Sequence, residues 1–221
     1  MFKGFVRVPT GIPGLDDLTN GGFIKGTTCL VVGETGTGKT LLGIQYIYNG
    51  LKNGERCMIV SLEETVESLI ADVKNFNWDL EKYINEGKLF MLHKDPFELT
   101  DIVGLLVKEI DSKKISRLLI DSISVLGVYF KDPFEIRKQI YKLVSTLNSL
   151  GCTTLIIGEI IDNKLSRFGV EEFVADTVIK LSRNDVEIAP YLLKIIKMRR
   201  SAHSRATHKF EISDKGIKIV S

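Results

Sequence analysis

The chain has 221 residues, enough for one large α/β domain or two small ones. Apolar residues make up 44% of it, which supports a sizeable core and excludes a disordered chain. Thirty basic against twenty-eight acidic side chains leave a net charge of +2, too even a balance to point to nucleic acid or a membrane surface by itself.

The N-terminal "MFKGFVRVPTG" has no long apolar stretch and no cleavage site. No run approaches the ~20 apolar residues of a membrane helix. Cys29, Cys57 and Cys152 each sit in or beside an apolar run, without metal-ligand spacing, as buried residues of a reducing compartment do. The expectation is a soluble, cytoplasmic protein with no membrane partner.

In chain order, strands are predicted over 28–32, 58–61, 89–93, 118–121, 153–158, 177–181 and 192–198, several of them continuous β-branched or aliphatic runs. Helical patterns fill gaps between them. One runs over 39–53, ended by "NG", and a second over 66–75 with Thr65 as its cap. A third has Asp132 as cap, Pro133 at its first position and Gly151 at its end. Its Ile136, Ile140, Leu143, Leu147 and Leu150 fall on one face and are predicted to be core.

This alternation predicts an α/β fold, a mostly parallel twisted sheet flanked by helices on both faces. The closing "HKFEISDKGIKIVS" alternates differently and predicts an antiparallel hairpin around "SDKG" at the sheet's edge. No repeat, low-complexity tract or proline-rich linker divides the chain, so one domain over 1–221 is expected.

The segment Gly33-Glu34-Thr35-Gly36-Thr37-Gly38-Lys39-Thr40 matches G-x-x-x-x-G-K-[ST], after a predicted strand and before a predicted helix. Glycines let successive N–H groups converge on a phosphate chain, and the helix offers its positive end. The nucleotide-binding segment therefore runs from Gly33 to Leu41. Lys39 is expected to reach the β- and γ-phosphates and Thr40 to place its hydroxyl on Mg²⁺. In "SRLLIDSIS", Asp121 ends an apolar run and is the expected carboxylate of the metal site. "CMIVSLEETVESL" ends a strand with Glu63 and Glu64, where parallel sheets bind ligands. One of the two is expected to orient the attacking water, with Glu63 preferred. His93, His203 and His208 are too dispersed for a catalytic cluster.

Together these residues resemble the RecA superfamily, and within it the KaiC-like ATPases. "TGIPGLDDLTNGGFIKGT" resembles that family's segment before the P-loop, "SLEET" its glutamate pair and "LLIDSIS" its Walker B strand. "NKLSRFGVEEFVAD" and "KMRRSAHS" resemble two segments of the KaiC branch. The resemblance implies a RecA-like P-loop NTPase fold, ATP with Mg²⁺, and a homo-oligomer in the form of a hexameric ring. It also implies an active site shared between subunits, with Lys197 and Arg199 reaching the neighbour's γ-phosphate, and a glutamate pair at Glu63 and Glu64. Two departures stand out. The family's clock proteins carry two such domains in tandem and this chain has one, so a circadian phosphorylation cycle is not implied. Arg200 stands where the family often has glycine.

Two alternatives belong to other functional classes. A nucleic-acid-binding accessory ATPase would use Lys194, Lys197, Arg199, Arg200, Arg205 and Lys209, in a stretch from 188 to 210 without acids. Against it, Lys164 and Arg167 in the preceding loop are balanced by Asp162, Glu171 and Glu172. A non-catalytic nucleotide sensor would need no glutamate pair, and this chain keeps one.

Overall fold

A computed structural model of the chain describes residues 4–94, 101–130, 132–161, 164–184 and 191–220. Asp162 and residues 188–190 of the acid-free stretch lie outside the described residues. A small ribbon comes first, made by β1 (Arg7–Val8) and β2 (Phe23–Ile24), with the one-turn α1 (Leu15–Leu18) between them. Then follow β3 (Thr28–Gly33), α2 (Lys39–Lys52), β4 (Cys57–Ser61), α3 (Val66–Val73), α4 (Leu80–Asn85) and β5 (Leu89–His93). After these come α5 (Ile102–Lys113), β6 (Arg117–Asp121), α6 (Leu126–Tyr129), α7 (Pro133–Ser149), β7 (Thr153–Glu159) and α8 (Glu171–Val174). The chain closes with β8 (Thr177–Arg183), β9 (Tyr191–Met198), β10 (Thr207–Ser213) and β11 (Gly216–Val220).

Among the described residues, nine strands form one sheet in the order β11-β10-β9-β8-β3-β7-β6-β4-β5. From β8 to β5 every pairing is parallel, with β3 between β7 and β8. Successive residues of the parallel strands serve opposite faces. Cys29, Val31, Ile59, Leu119, Leu155 and Ile157 join the core under α2, whereas Leu30, Val32, Met58, Val60, Leu118 and Ile156 join the core under α5 and α7. Strands covered on both faces must be apolar throughout, which is why these read as runs and not as alternations.

The antiparallel part is larger than the predicted hairpin. β10 and β11 do form it, at the sheet's edge, but β9 is also antiparallel, to both β8 and β10. Too few residues separate Arg183 from Tyr191 to hold the crossover that a parallel pair needs. Thr65 caps α3 through its side chain, and Asp132 caps α7. α3 ends at Val73 and continues as a 3-10 turn over Lys74–Phe76. Leu150 is corrected: it follows the last helical residue of α7 and is 36% exposed, while Ile136, Ile140, Leu143 and Leu147 are buried. Among the described residues, no helix is long and apolar enough to cross a membrane.

This topology gives the strands two unlike ends. Gly33, Ser61, Asp121 and Glu159 close their strands at one end of the sheet, with Gly33 level with Glu159 and Ser61 level with Asp121. Because β9 runs the other way, its end at Met198 lies level with Thr177, which in turn lies level with Cys29. The ends of β3 and β9 are thus separated by about 13 Å of sheet.

Candidate active site

β3 stops at Gly33 because a side chain there has no room. A Cβ would stand 2.6 Å from the Thr37 hydroxyl and 2.8 Å from the Leu181 carbonyl oxygen. The chain then turns through Gly36 and Gly38, both at positive φ (+78° and +85°), which glycine adopts without a steric penalty. Inside this loop the Thr37 hydroxyl donates to the Glu34 carbonyl at 2.7 Å, and the Lys39 ammonium donates to the same carbonyl at 2.8 Å. α2 begins directly after Gly38 with no side-chain cap and no acid in its first turn. Its leading N–H groups therefore face the pocket, a setting that favours an anion. Burial lowers the Lys39 pKa from the usual lysine value, while Glu159, Asp121, Glu63 and Glu34 pull it back up.

Carboxylates face this cradle from the neighbouring strands. The Thr40 hydroxyl donates to Asp121 Oδ2 at 2.7 Å. Asp121 is buried, and desolvation raises its pKa to about 6; the Thr40 bond and Lys39 oppose the shift, whereas Glu63 and Glu64 add to it. The Asp121–Ser122 peptide is cis. The Ser122 hydroxyl donates to Glu63 Oε1, so Glu63 stands beside the segment that carries Asp121. Glu64 is turned differently: its Oε2 accepts from the Ser68 hydroxyl of α3 at 2.8 Å, and its N–H donates to Ser61 Oγ at 3.0 Å. Glu63, Glu64, Asp121, Lys39, Thr40 and Leu41 all line one pocket of about 440 Å³.

Sequence reasoning missed Glu159, which lines the same pocket at the end of β7. Its carboxylate accepts from Arg167 at 2.7 Å, and its N–H donates to the Ser124 hydroxyl at 3.0 Å. The signal was present: "TTLIIGE" is an apolar run ending in an acid, as "LLID" is.

Lys197 and Arg199 are not part of this pocket. They lie at the opposite end of the strands, where Lys197 Nζ donates to the Glu172 carbonyl and Arg199 Nη2 to the Phe173 carbonyl, each at 2.7 Å. Lys197 has its pKa lowered by burial and by Arg199, against Asp176 and Glu172. Lys194, Lys197, His203 and Arg205 line a separate cleft of about 540 Å³. Arg200 takes a left-handed turn at φ +60° and pairs with Asp176 at 2.9 Å. None of the histidines lines the pocket of about 440 Å³; His208 Nε2 instead meets the Ser204 hydroxyl at 2.6 Å.

The residues present fit Mg²⁺ on a triphosphate. Among the described residues there is no cluster of three or more His, Cys, Asp or Glu able to hold a metal alone. Mg²⁺ in phosphate sites takes only one or two protein oxygens beside phosphate and water, and the Thr40–Asp121 pair supplies hard oxygen donors next to the cradle.

Comparison with known proteins agrees with this geometry. The model of the KaiC ATPase family matches residues 8–221. The circadian clock oscillator protein KaiC of Synechococcus elongatus is 34% identical, over 98% of this chain and 44% of its own length. KaiC of Thermostichus vulcanus is 35% identical, over 96% of this chain and 44% of its own. The chain thus spans less than half the length of these curated relatives. The crystal structure of a KaiC-like protein from the hyperthermophilic archaeon Pyrococcus horikoshii OT3 superposes with a TM-score of 0.90 at 37% identity, covering 99% of this chain and all of that one.

Proposed function

The chain belongs to the KaiC family of ATPases, RecA-superfamily domains that bind ATP, and from that premise we propose that it is a Mg²⁺-dependent ATP hydrolase whose site is completed by a neighbouring copy. The observation that carries this reading is the Thr40–Asp121 contact beside the P-loop, with Glu63 held next to it by Ser122. Those are the parts phosphoryl transfer requires: a cradle, a metal-site carboxylate and a carboxylate to align water.

In this reading the N–H groups of residues 34–40 and the Lys39 ammonium hold the β- and γ-phosphates. Lys39 gives up its bond to the Glu34 carbonyl when a triphosphate is in reach. Thr40 and Asp121 would hold Mg²⁺, which when bound would neutralise charge on the phosphoryl oxygens. Glu63 orients the attacking water and takes up its proton. Glu64, bonded to α3, supports the pair from behind. Most of the rate comes from alignment and from fixed charge in a partly enclosed site.

Lys197 and Arg199 sit about 13 Å of sheet away from their own P-loop end, so they serve a γ-phosphate only if another subunit brings one. A head-to-tail contact, P-loop end against finger end, generates a ring where the rotation between neighbours closes. We read this ring as the family's hexamer and the chain as a single ATPase domain. The free, buried cysteines favour the cytoplasm. Nucleic acid is a less favoured partner: Arg200 is paired with Asp176, Lys197 and Arg199 bond α8 carbonyls, and Arg167 is paired with Glu159. A non-catalytic sensor is disfavoured by the placement of Glu63. Phosphate release from ATP with Mg²⁺, measured together with light scattering with and without ATP, tests the reading. An assembled chain that releases no phosphate overturns it in favour of the sensor.

A further inference from the structure

Arg200 is a costly choice of residue. At φ +60° a long side chain crowds its own backbone, and glycine does not. What its side chain gains is specific: the guanidinium donates to Asp176 Oδ1 at 2.9 Å and lies 5.5 Å from the Phe5 ring centroid. Asp176 is only 6% exposed and is bonded on every side. Its Oδ2 accepts from the Asn148 amide near the end of α7 at 3.0 Å and from the Thr28 N–H at 3.3 Å. Its own N–H donates to the Thr28 carbonyl, and its carbonyl accepts from the Arg199 N–H, both at 2.9 Å. Thr28 in turn donates its hydroxyl to Asn148 Oδ1 at 2.9 Å. One residue therefore fastens the start of the P-loop strand, the end of α7 and the backbone of Arg199.

We propose that Asp176, locked by Arg200, is the positioning residue for Arg199, fixing where its guanidinium stands when it is presented to a neighbouring γ-phosphate. This rests on the reading that Lys197 and Arg199 act across an interface. The reason a lock is needed is geometric. Arg199 is the first residue after β9, held to the neighbouring strand's lead-in only by its N–H bond to the Asp176 carbonyl, and its side chain is long. A displacement of about 1 Å at a charge-stabilising group can cost roughly a hundredfold in rate. Asp176 also joins that finger to the first residue of the strand that ends in the same subunit's own P-loop, so both half-sites of one subunit share a fixed point.

The test compares Arg199→Ala, Asp176→Asn, Arg200→Gly and Arg200→Lys in the full chain, reading ATP affinity and phosphate release separately. Arg200→Gly removes the guanidinium while easing the backbone. It is expected to lower kcat about tenfold or more, with ATP affinity unchanged. Arg200→Lys keeps a cation for Asp176 and is expected to recover most of the turnover. Mixing Arg200→Gly subunits with Lys39→Ala subunits is expected to restore part of the rate, since the latter bring a sound finger to a sound P-loop. Parental turnover in Arg200→Gly overturns the proposal. So does a loss of ATP affinity in Asp176→Asn that accounts for its loss of rate, because the effect would then run through β3. If Asp176→Asn does not fold, the Arg200→Gly and Arg200→Lys pair decides alone. Parental activity in Arg199→Ala instead refutes the inter-subunit reading beneath it, and loss in Arg199→Ala beside intact Arg200→Gly refutes only the lock.

Discussion

The two ends of the sheet handle charge in opposite ways. At the P-loop end, Glu34, Glu63, Asp121 and Glu159 surround the Lys39 ammonium and an uncapped helix start, with Glu159 also paired to Arg167. At the other end, Lys197 and Arg199 lie side by side and donate to the carbonyls of Glu172 and Phe173. In the proposed reading the first end is a receptor that takes a polyanion and a cation to balance it. The second is then a pair of cations occupied by weak acceptors, which they would exchange for a stronger one. A carbonyl competes poorly with a phosphoryl oxygen for an arginine, because the phosphate carries negative charge and can accept two parallel N–H bonds from the guanidinium fork. Receptor and donor thus coexist in one chain without meeting, and the fold keeps them apart by reversing β9.

The largest effect tests the receptor. Lys39→Ala removes the principal counter-charge of the β- and γ-phosphates and is expected to abolish ATP binding in an equilibrium assay. Wild-type affinity would end the P-loop assignment. Next comes the donor. Arg199→Ala is expected to bind ATP normally and to lose about a thousandfold in turnover, the lower end of what an arginine finger contributes. Arg199→Lys is also expected to be impaired, since an ammonium lacks the planar fork. Co-assembly of Arg199→Ala with Lys39→Ala subunits is expected to recover part of the activity that each lacks alone. Absence of recovery in demonstrated mixed assemblies would mean that the two ends do not meet across an interface.

The same contrast explains what could be read in the sequence. The P-loop was legible because its requirements are local: Gly33, Gly36, Gly38, Lys39 and Thr40 fall within eight consecutive positions, and each glycine answers a steric need visible in the backbone. Asp121 and Glu63 were legible as acids at strand ends. Glu159 carries the same cue and was passed over, because only the strand order shows that β7 lies against β3. The reversal of β9 was not read, as its apolar run looks like that of a parallel strand and only the short link before it tells otherwise. Nor does any spacing announce Asp176, whose partners Thr28, Asn148 and Arg200 come from distant parts of the chain.

A finer test divides the glutamate pair. Glu63→Gln keeps shape and removes charge, and is expected to slow hydrolysis about a hundredfold at unchanged ATP affinity. Glu64→Gln is expected to cost less, because Ser68 Oγ and the Ser61 contacts fix that residue toward α3. Single-turnover rates of the two variants decide between them. A dead Glu64→Gln beside an active Glu63→Gln would reverse the roles.

The smallest effect concerns what the receptor costs when nothing is bound. Burial holds the Asp121 carboxyl at a pKa of about 6, above its unfolded value, so the folded state binds a proton more tightly than the unfolded chain does. The stability this brings is complete below about pH 4 and is lost as pH rises through about 6. At neutral pH the nucleotide-free chain therefore carries a buried charge at a penalty. Asp121→Asn removes that charge and keeps an oxygen for the Thr40 hydroxyl. A two-unit shift is worth at most about 3 kcal/mol, and the weaker bond to a neutral acceptor returns about 1 kcal/mol of that. The variant is expected to be more stable than the parent by about 1–2 kcal/mol at pH 7, with the gap closing toward pH 4. Denaturant titrations across that range measure it. With ATP and Mg²⁺ present the order is expected to reverse, since the parent gains the ligand's binding energy and the variant does not. A parent that is the more stable of the two without ligand at pH 7 would show that Asp121 is a structural residue, and the receptor end would lose its metal site.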